Sequence, residues 1–288
     1  MFGHQKLTMK RDVLRWWFRG GCARRPGRKP VLFAGPWVGE FGWELMNWQA
    51  WVRALAPHYE KVVVCARPAS EALYQDFADV FVPHGLRGTA DHVILRDVEN
   101  PEVLAEIRAQ VTEEMDWLQP LIYVPQRVQH FIRFGEAEAV DRVDVLLHAR
   151  GKGAASERNW PVSQWEALVE HLQSAGLTVG CVGLRHATLD VPGVQDFRDI
   201  PLTETLNRMA AAKLVLGPSS GPMHLASLCG TPHVVWTNQG IYRMGKSSRQ
   251  KYESWWNPLR TPVTVLDDEG FGATPARVLE AALIRSGL

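Results

Sequence analysis

The run Gly217-Pro218-Ser219-Ser220-Gly221-Pro222-Met223-His224 has the residue types of an anion cradle. Apolar residues from Lys213 to Gly217 read as a buried strand that ends where the run begins, and helical periodicity starts at Pro222. A helix starting there presents unpaired N–H groups and the positive end of its dipole at the strand's carboxyl end. Gly221 lets the backbone approach an anion, Ser219 and Ser220 offer hydroxyls, and Pro222 suits a first helical turn. The chemistry is that of a phosphate site. The plainer alternative is a tight turn with a serine cap.

Two α/β halves are needed to position such a turn. From Pro30, strands at Val31–Gly35, Lys61–Ala66 and Asp79–Pro83 alternate with helices at Trp43–Ala56 and Pro68–Phe77. Glu99–Trp117 reads as a helix and Leu121–Val124 as a strand, and Gly135–Asp141 is the expected hinge. Alternation resumes with strands at Asp144–Ala149, Thr178–Gly183, Lys213–Gly217 and His233–Trp236. Helices are expected at Pro161–Ala175 (capped by Ser163), Pro201–Ala212, Pro222–Cys229 and Ala273–Ile284. The domains expected are a basic arm over 1–29, an N-terminal Rossmann-like acceptor domain over 30–140, and a C-terminal sugar-nucleotide domain over 141–288. Ligands of such folds bind beyond the strand ends, in the cleft between the halves.

The 288 residues have a net charge of +1 that hides an asymmetry. Nine Lys or Arg and one Asp give residues 1–29 a charge of +8, against −7 for the rest. Such an arm suits a polyanionic partner: an anionic membrane or glycolipid, or DNA. No apolar run approaches the roughly 18 residues of a membrane span, and no secretory h-region opens the chain, so a cytoplasmic protein, peripheral to a membrane through its arm, is expected. Cys22, Cys65, Cys181 and Cys229 are widely spaced, and Cys65 and Cys181 lie in apolar runs, as buried free thiols do. The ten His share no ligand spacing with Cys, and Asp267-Asp268 reads as a turn, so no metal and no bound cofactor are expected.

Residues 143–240 resemble the heptosyltransferase family of glycosyltransferases. The likeness runs through His148-Ala149-Arg150, Arg158-Asn159-Trp160-Pro161, Trp165, Leu168, Gly176 and Val179–Gly183. It continues over Leu202–Leu206, Leu214–Gly217, the Ser-Gly-Pro-Met-His-Leu-Ala run, and Gly230-Thr231-Pro232-His233-Val234-Val235, in the family's order. The resemblance implies a GT-B fold, two Rossmann-like domains with parallel sheets facing across a cleft, and a donor nucleotide sugar held by the C-terminal half. It implies that Ser220, Gly221 and His224 hold the diphosphate and that Arg158, before the Trp-Pro step, neutralises it. Lys152 and Arg150 in the same loop are secondary candidates. The family has Asp where this chain has Ser219, and that Asp contacts the donor sugar. The departure points away from ADP-heptose and leaves the diphosphate contacts intact.

At the position of Gly39-Glu40-Phe41-Gly42-Trp43-Glu44 the family carries a Gly-Asp whose carboxylate is the general base. Transfer requires a group to take the acceptor hydroxyl's proton. Glu40, in its glycine context, is the first candidate and Glu44 the second; Glu44 equally suits a first-turn acid facing a helix dipole. Gly39 and Gly42 leave room for a sugar or phosphate, and Trp37 and Trp43 offer faces to stack on one. Tyr242–Trp256, with Arg243, Lys246, Arg249 and Lys251, reads as a basic–aromatic loop that serves as a flap, an acceptor contact or an ordinary solvated loop. The expected activity is metal-independent transfer of a sugar from a nucleotide-sugar donor to a hydroxyl of a saccharide or lipid-linked glycan. The alternatives are glycosylation of a hydroxymethylated DNA base, and a sugar-nucleotide epimerase or binding protein on the same fold.

Overall fold

The computed structural model describes residues 29–87, 99–120, 124–153, 155–240, 245 and 247–286. Nearly all of the basic arm, with Cys22, lies outside these residues, as do Arg243, Lys246 and most of the strand expected at 121–124. The chain divides into two compact units. The first runs to Glu40 and resumes over Asn47–His130; the second holds Phe41–Met46 and the chain from Phe131 onward.

Among the described residues the first unit holds a four-stranded sheet in the order β3-β2-β1-β4. Its strands are β1 (Val31–Ala34), β2 (Lys61–Ala66), β3 (Val80–Pro83) and β4 (Met115–Leu118), all parallel. After β1 comes a helix in three pieces, α1: α-helical over Phe41–Trp43, π over Glu44–Trp48 and α-helical again over Gln49–Leu55. The stretch after β2 forms a 3-10 helix, Pro68–Leu73, in place of the longer helix expected there. α2 (Pro101–Ala109) is shorter than the helix expected over Glu99–Trp117. The end of the expected helix is β4 instead, whose alternation sends Met115 and Trp117 to the core of Phe33, Val63, Cys65, Leu104 and Ile107, while Asp116 accepts from Tyr59 Oη at 2.9 Å. That period of two is a strand signal, and it won over helix propensity.

The second unit holds a six-stranded sheet in the order β10-β9-β8-β5-β6-β7. The strands are β5 (Val145–Leu147), β6 (Val179–Gly183), β7 (Gln195–Arg198), β8 (Leu214–Pro218), β9 (His233–Trp236) and β10 (Val263–Leu266), again all parallel. Helices α3 (Val162–Ser174), α4 (Leu202–Ala211), α5 (Gly221–Cys229), α6 (Ser248–Trp255) and α7 (Pro275–Ser286) connect or close them. α3 begins one residue before Ser163, with Pro161 at its cap position and no side-chain cap bond. β7 carries little apolar signal because it is an edge strand. Its Arg198 binds Asp196 at 2.8 Å and Asp190 at 2.6 Å.

Numbered from β5, this is the Rossmann order, and the order in which strands are laid down reverses between β5 and β8, all strands staying parallel. Trp160, Trp165 and Trp236 fill the core beneath, Trp160 and Trp236 stacking at 4.4 Å. Cys65, Cys181 and Cys229 are buried free thiols, and burial raises the pKa of each. Among the described residues no helix is long and apolar enough to cross a membrane.

Candidate functional site

The two loops beside the reversal carry the candidate residues of the second unit. β8 ends at Pro218; Ser219 N–H donates to the Trp236 carbonyl at 2.9 Å, and Ser220, extended at φ −165°, is the N-cap of α5. The Ser220 carbonyl accepts from the Met223 and His224 N–H groups, both at 3.1 Å. Pro222 has no N–H, so Gly221 presents the first outward amide of the helix, and among the described residues it has no acceptor. Met223 is fully buried beneath the turn, whereas Ser219, Ser220, Gly221 and Pro222 are half-buried.

His224 lies four residues after Ser220 and therefore on the same helix face. It is 93% buried, stacked on Trp256 at 4.7 Å and tilted against Tyr252 at 5.5 Å. Burial is the first cause of its lowered pKa, with His233, Lys251 and Arg158 adding to it; together they bring it to about 3 and keep the imidazole neutral. Among the described residues three buried polar atoms here have no hydrogen-bond partner: His224 Nδ1, Ser220 Oγ and Arg158 Nε. Most other such atoms are indole nitrogens of core tryptophans.

Arg158 comes from the loop after β5, at the end of a 3-10 turn over Ser156–Arg158. Its Nη1 is 3.4 Å from the Ser219 carbonyl, which sets it at the α5 turn, and its guanidinium lies 5.5 Å from the Phe271 ring centre. The side chain is 40% exposed and its contact with Glu157 is loose, at 3.9 Å. Arg150 occupies a different environment. It is buried, donates to the Ala155 carbonyl at 3.0 Å and to Asn159 Oδ1, and holds the loop together from inside. Lys152 is exposed on that loop.

Phe41, Gly42 and Trp43 fall with the second unit. A Cβ on Gly42 would stand 3.5 Å from His224 Cδ2, and one on Gly221 would stand 3.0 Å from Phe41 Cδ1, so both glycines allow close packing at the start of α5. Trp43 is half-buried with its edge on Trp256 at 5.3 Å. Glu44 is fully buried at the start of the π segment.

In the first unit Glu40 is exposed at the end of the loop after β1. That loop is braced: Arg67 donates to the Gly39 carbonyl at 2.7 Å and to the Val38 carbonyl at 2.6 Å, and Trp37 N–H donates to the Cys65 carbonyl at 3.0 Å. Trp37 offers no face to a sugar. It is wholly buried and stacked on Trp48 at 5.6 Å.

The segment expected to be a basic–aromatic loop contains α6, begun by a capping box between Ser247 and Gln250. The Ser-x-x-Gln spacing was the signal for it. Arg249 pairs with Asp267 at 2.9 Å, while Lys251 Nζ lies 5.6 Å from the Trp256 ring centre. Among the described residues no three His, Cys, Asp or Glu side chains come together as metal ligands would.

No protein-family model and no curated protein matches the sequence. Solved structures do match in fold. A glycosyl transferase family 9 protein from Veillonella parvula superposes with a TM-score of 0.59 at 12% identity, over 92% of this chain and 99% of that one. Escherichia coli ADP-heptose lipopolysaccharide heptosyltransferase II superposes at 0.58 and 15% identity, over 89% and 98%. The dodecameric iron-containing heptosyltransferase TibC, solved with ADP-D-β-D-heptose, superposes at 0.51 and 17% identity, over 90% and 76%. At these identities the likeness is one of fold. The chain is an α/β protein with the GT-B fold, built on two parallel sheets.

Proposed function

We propose that this chain is a glycosyltransferase that binds the diphosphate of a nucleotide sugar at the N-terminus of α5 and passes the sugar to a hydroxyl of a saccharide or lipid-linked glycan. The observation that carries the reading is the gathering of unpartnered His224 Nδ1, Ser220 Oγ and Arg158 Nε around one helix start, at the reversal point of a Rossmann-ordered sheet. The helix start offers the Gly221 amide and its dipole, worth roughly 0.3–1 kcal/mol and up to about 2 kcal/mol where partly buried. Arg158 adds a charge-assisted hydrogen bond. Fold neighbours that carry out glycosyl transfer, one of them holding ADP-heptose, support the same reading.

In the proposed reaction the acceptor oxygen bonds to the anomeric carbon as the bond from that carbon to the diphosphate oxygen breaks. The acceptor proton goes to Glu40, which its exposure favours over the fully buried Glu44. The negative charge left on the nucleoside diphosphate is offset by the α5 amides and Arg158, charges supplied by the protein rather than by a divalent ion. Ser219, in place of the carboxylate of heptosyltransferases, points to a donor sugar other than heptose.

A thermal-shift panel of UDP, GDP, ADP and dTDP sugars tests the binding step, because a ligand of the folded state raises the melting temperature by mass action. One nucleotide is expected to shift it clearly above the rest, and nucleoside diphosphate release from that donor is expected to persist in EDTA. No shift with any donor overturns the proposal, and loss of turnover in EDTA overturns its metal independence.

A further inference from the structure

α6 is fixed against α5. Tyr252 Oη donates to the Met223 carbonyl at 3.1 Å, Ser248 Oγ donates to Asn238 Oδ1 at 2.9 Å, and Arg249 is tied to Asp267. Lys251 sits between Arg249 and Tyr252 on this helix. Its ammonium lies 5.6 Å from the Trp256 ring centre and 5.9 Å from that of Trp255, and Trp256 in turn stacks on His224 in the first turn of α5. The path from Lys251 through Trp256 to His224 ends on the helix face that carries Ser220 Oγ, with Arg158 on the neighbouring Ser219 carbonyl. Burial first, and then the charge of Arg158, lowers the pKa of Lys251. Two cations that feel one another are best accommodated by an anion with more than one negative charge. A diphosphate spreads such charge over two phosphoryl groups.

We propose that Lys251 is a second cation for the diphosphate, acting with Arg158, so that the site selects nucleoside diphosphates over nucleoside monophosphates. The inference rests on the donor site proposed above and adds to it a ligand carried by α6.

The test is calorimetric titration of the full chain with ADP, UDP, GDP and dTDP and with the matching monophosphates. Lys251→Met keeps the aliphatic stem on Trp256 and removes the charge; Lys251→Gln serves if the Met variant melts early. For the tightest-binding diphosphate, loss of one charge-assisted bond should weaken affinity about 10–100-fold. The monophosphate should change by less than about 3-fold, diphosphate binding should become less sensitive to salt, and Lys251→Arg should recover most of the loss. Unchanged diphosphate affinity in Lys251→Met, alongside a loss in Arg158→Ala, overturns the role of Lys251 and leaves the donor site standing. Equal losses for mono- and diphosphate also overturn it. If no nucleoside diphosphate binds the unmodified chain, the donor site and Lys251 fall together.

Discussion

Arg150 and Arg158 belong to one loop and have the same chemistry, yet only one is available to a ligand. The guanidinium of Arg150 is held by the Ala155 carbonyl and Asn159, whereas Arg158 is 40% exposed beside Ser219. Arg158→Ala is expected to weaken nucleoside-diphosphate binding about 10–100-fold with little change in melting temperature. Arg150→Ala should instead lower the melting temperature, and calorimetry and thermal melts on the pair separate the two roles. Glu40→Gln should abolish turnover and leave nucleotide affinity unchanged; full activity in that variant would place the base elsewhere. The Gly-Pro-Ser-Ser-Gly-Pro turn between strand and helix is a local pattern, so Ser219 to His224 were legible in the sequence as a candidate phosphate site. The different roles of Arg150 and Arg158 were not legible, because the partners of Arg150 include backbone carbonyls whose direction depends on the folded loop. Trp37 was misjudged for a similar reason. Its neighbour in space is Trp48, eleven residues on in a helix whose packing no spacing rule reveals.

Elements set these side chains in place. The β5 and β8 loops meet because these neighbouring parallel strands flank the point where the strand order reverses, and the strand alternation made that architecture readable in advance. β4 and β7 escaped notice because one follows a helix after a two-residue acidic stretch and the other is a polar edge. α6 was missed although its capping box is written in Ser247 and Gln250. The β1–α1 loop is rigid through Arg67, and Arg67→Met is expected to lower kcat by about tenfold or more with nucleotide affinity retained, since loss of position affects the reaction step. Steady-state kinetics beside calorimetry check this; a change in affinity alone counts against it. Gly135 has φ +85°, and a Cβ there would lie 2.3 Å from the Leu206 carbonyl oxygen. Gly135→Ala should cost about 1–3 kcal/mol or more, read from a denaturant midpoint.

At the scale of the whole molecule, four histidines among the described residues are buried and neutral. His84, His148 and His233 are brought to about 4 and His224 to about 3, burial being the first cause in each. In the unfolded chain these groups titrate near 6.5. Above that pH neither state binds the protons, and the stability of the folded state is fully present. Below it the unfolded chain takes up protons that the folded one refuses, so stability is lost as the pH falls from 6.5 toward 4. Each imidazole contributes a slope of up to about 1.4 kcal/mol per pH unit. Urea midpoints at pH 7.5, 6 and 5 should fall steadily; equal midpoints at 7.5 and 5 would contradict the burial of these rings.

The proposed site requires a bound pyrophosphate to rest at the N-terminus of α5. A crystal of the full chain with the tightest-binding nucleoside diphosphate should show phosphate oxygens within about 3 Å of the Gly221 amide, Ser220 Oγ and an Arg158 nitrogen. A diphosphate held anywhere else, with those three groups turned to solvent, would rule this site out.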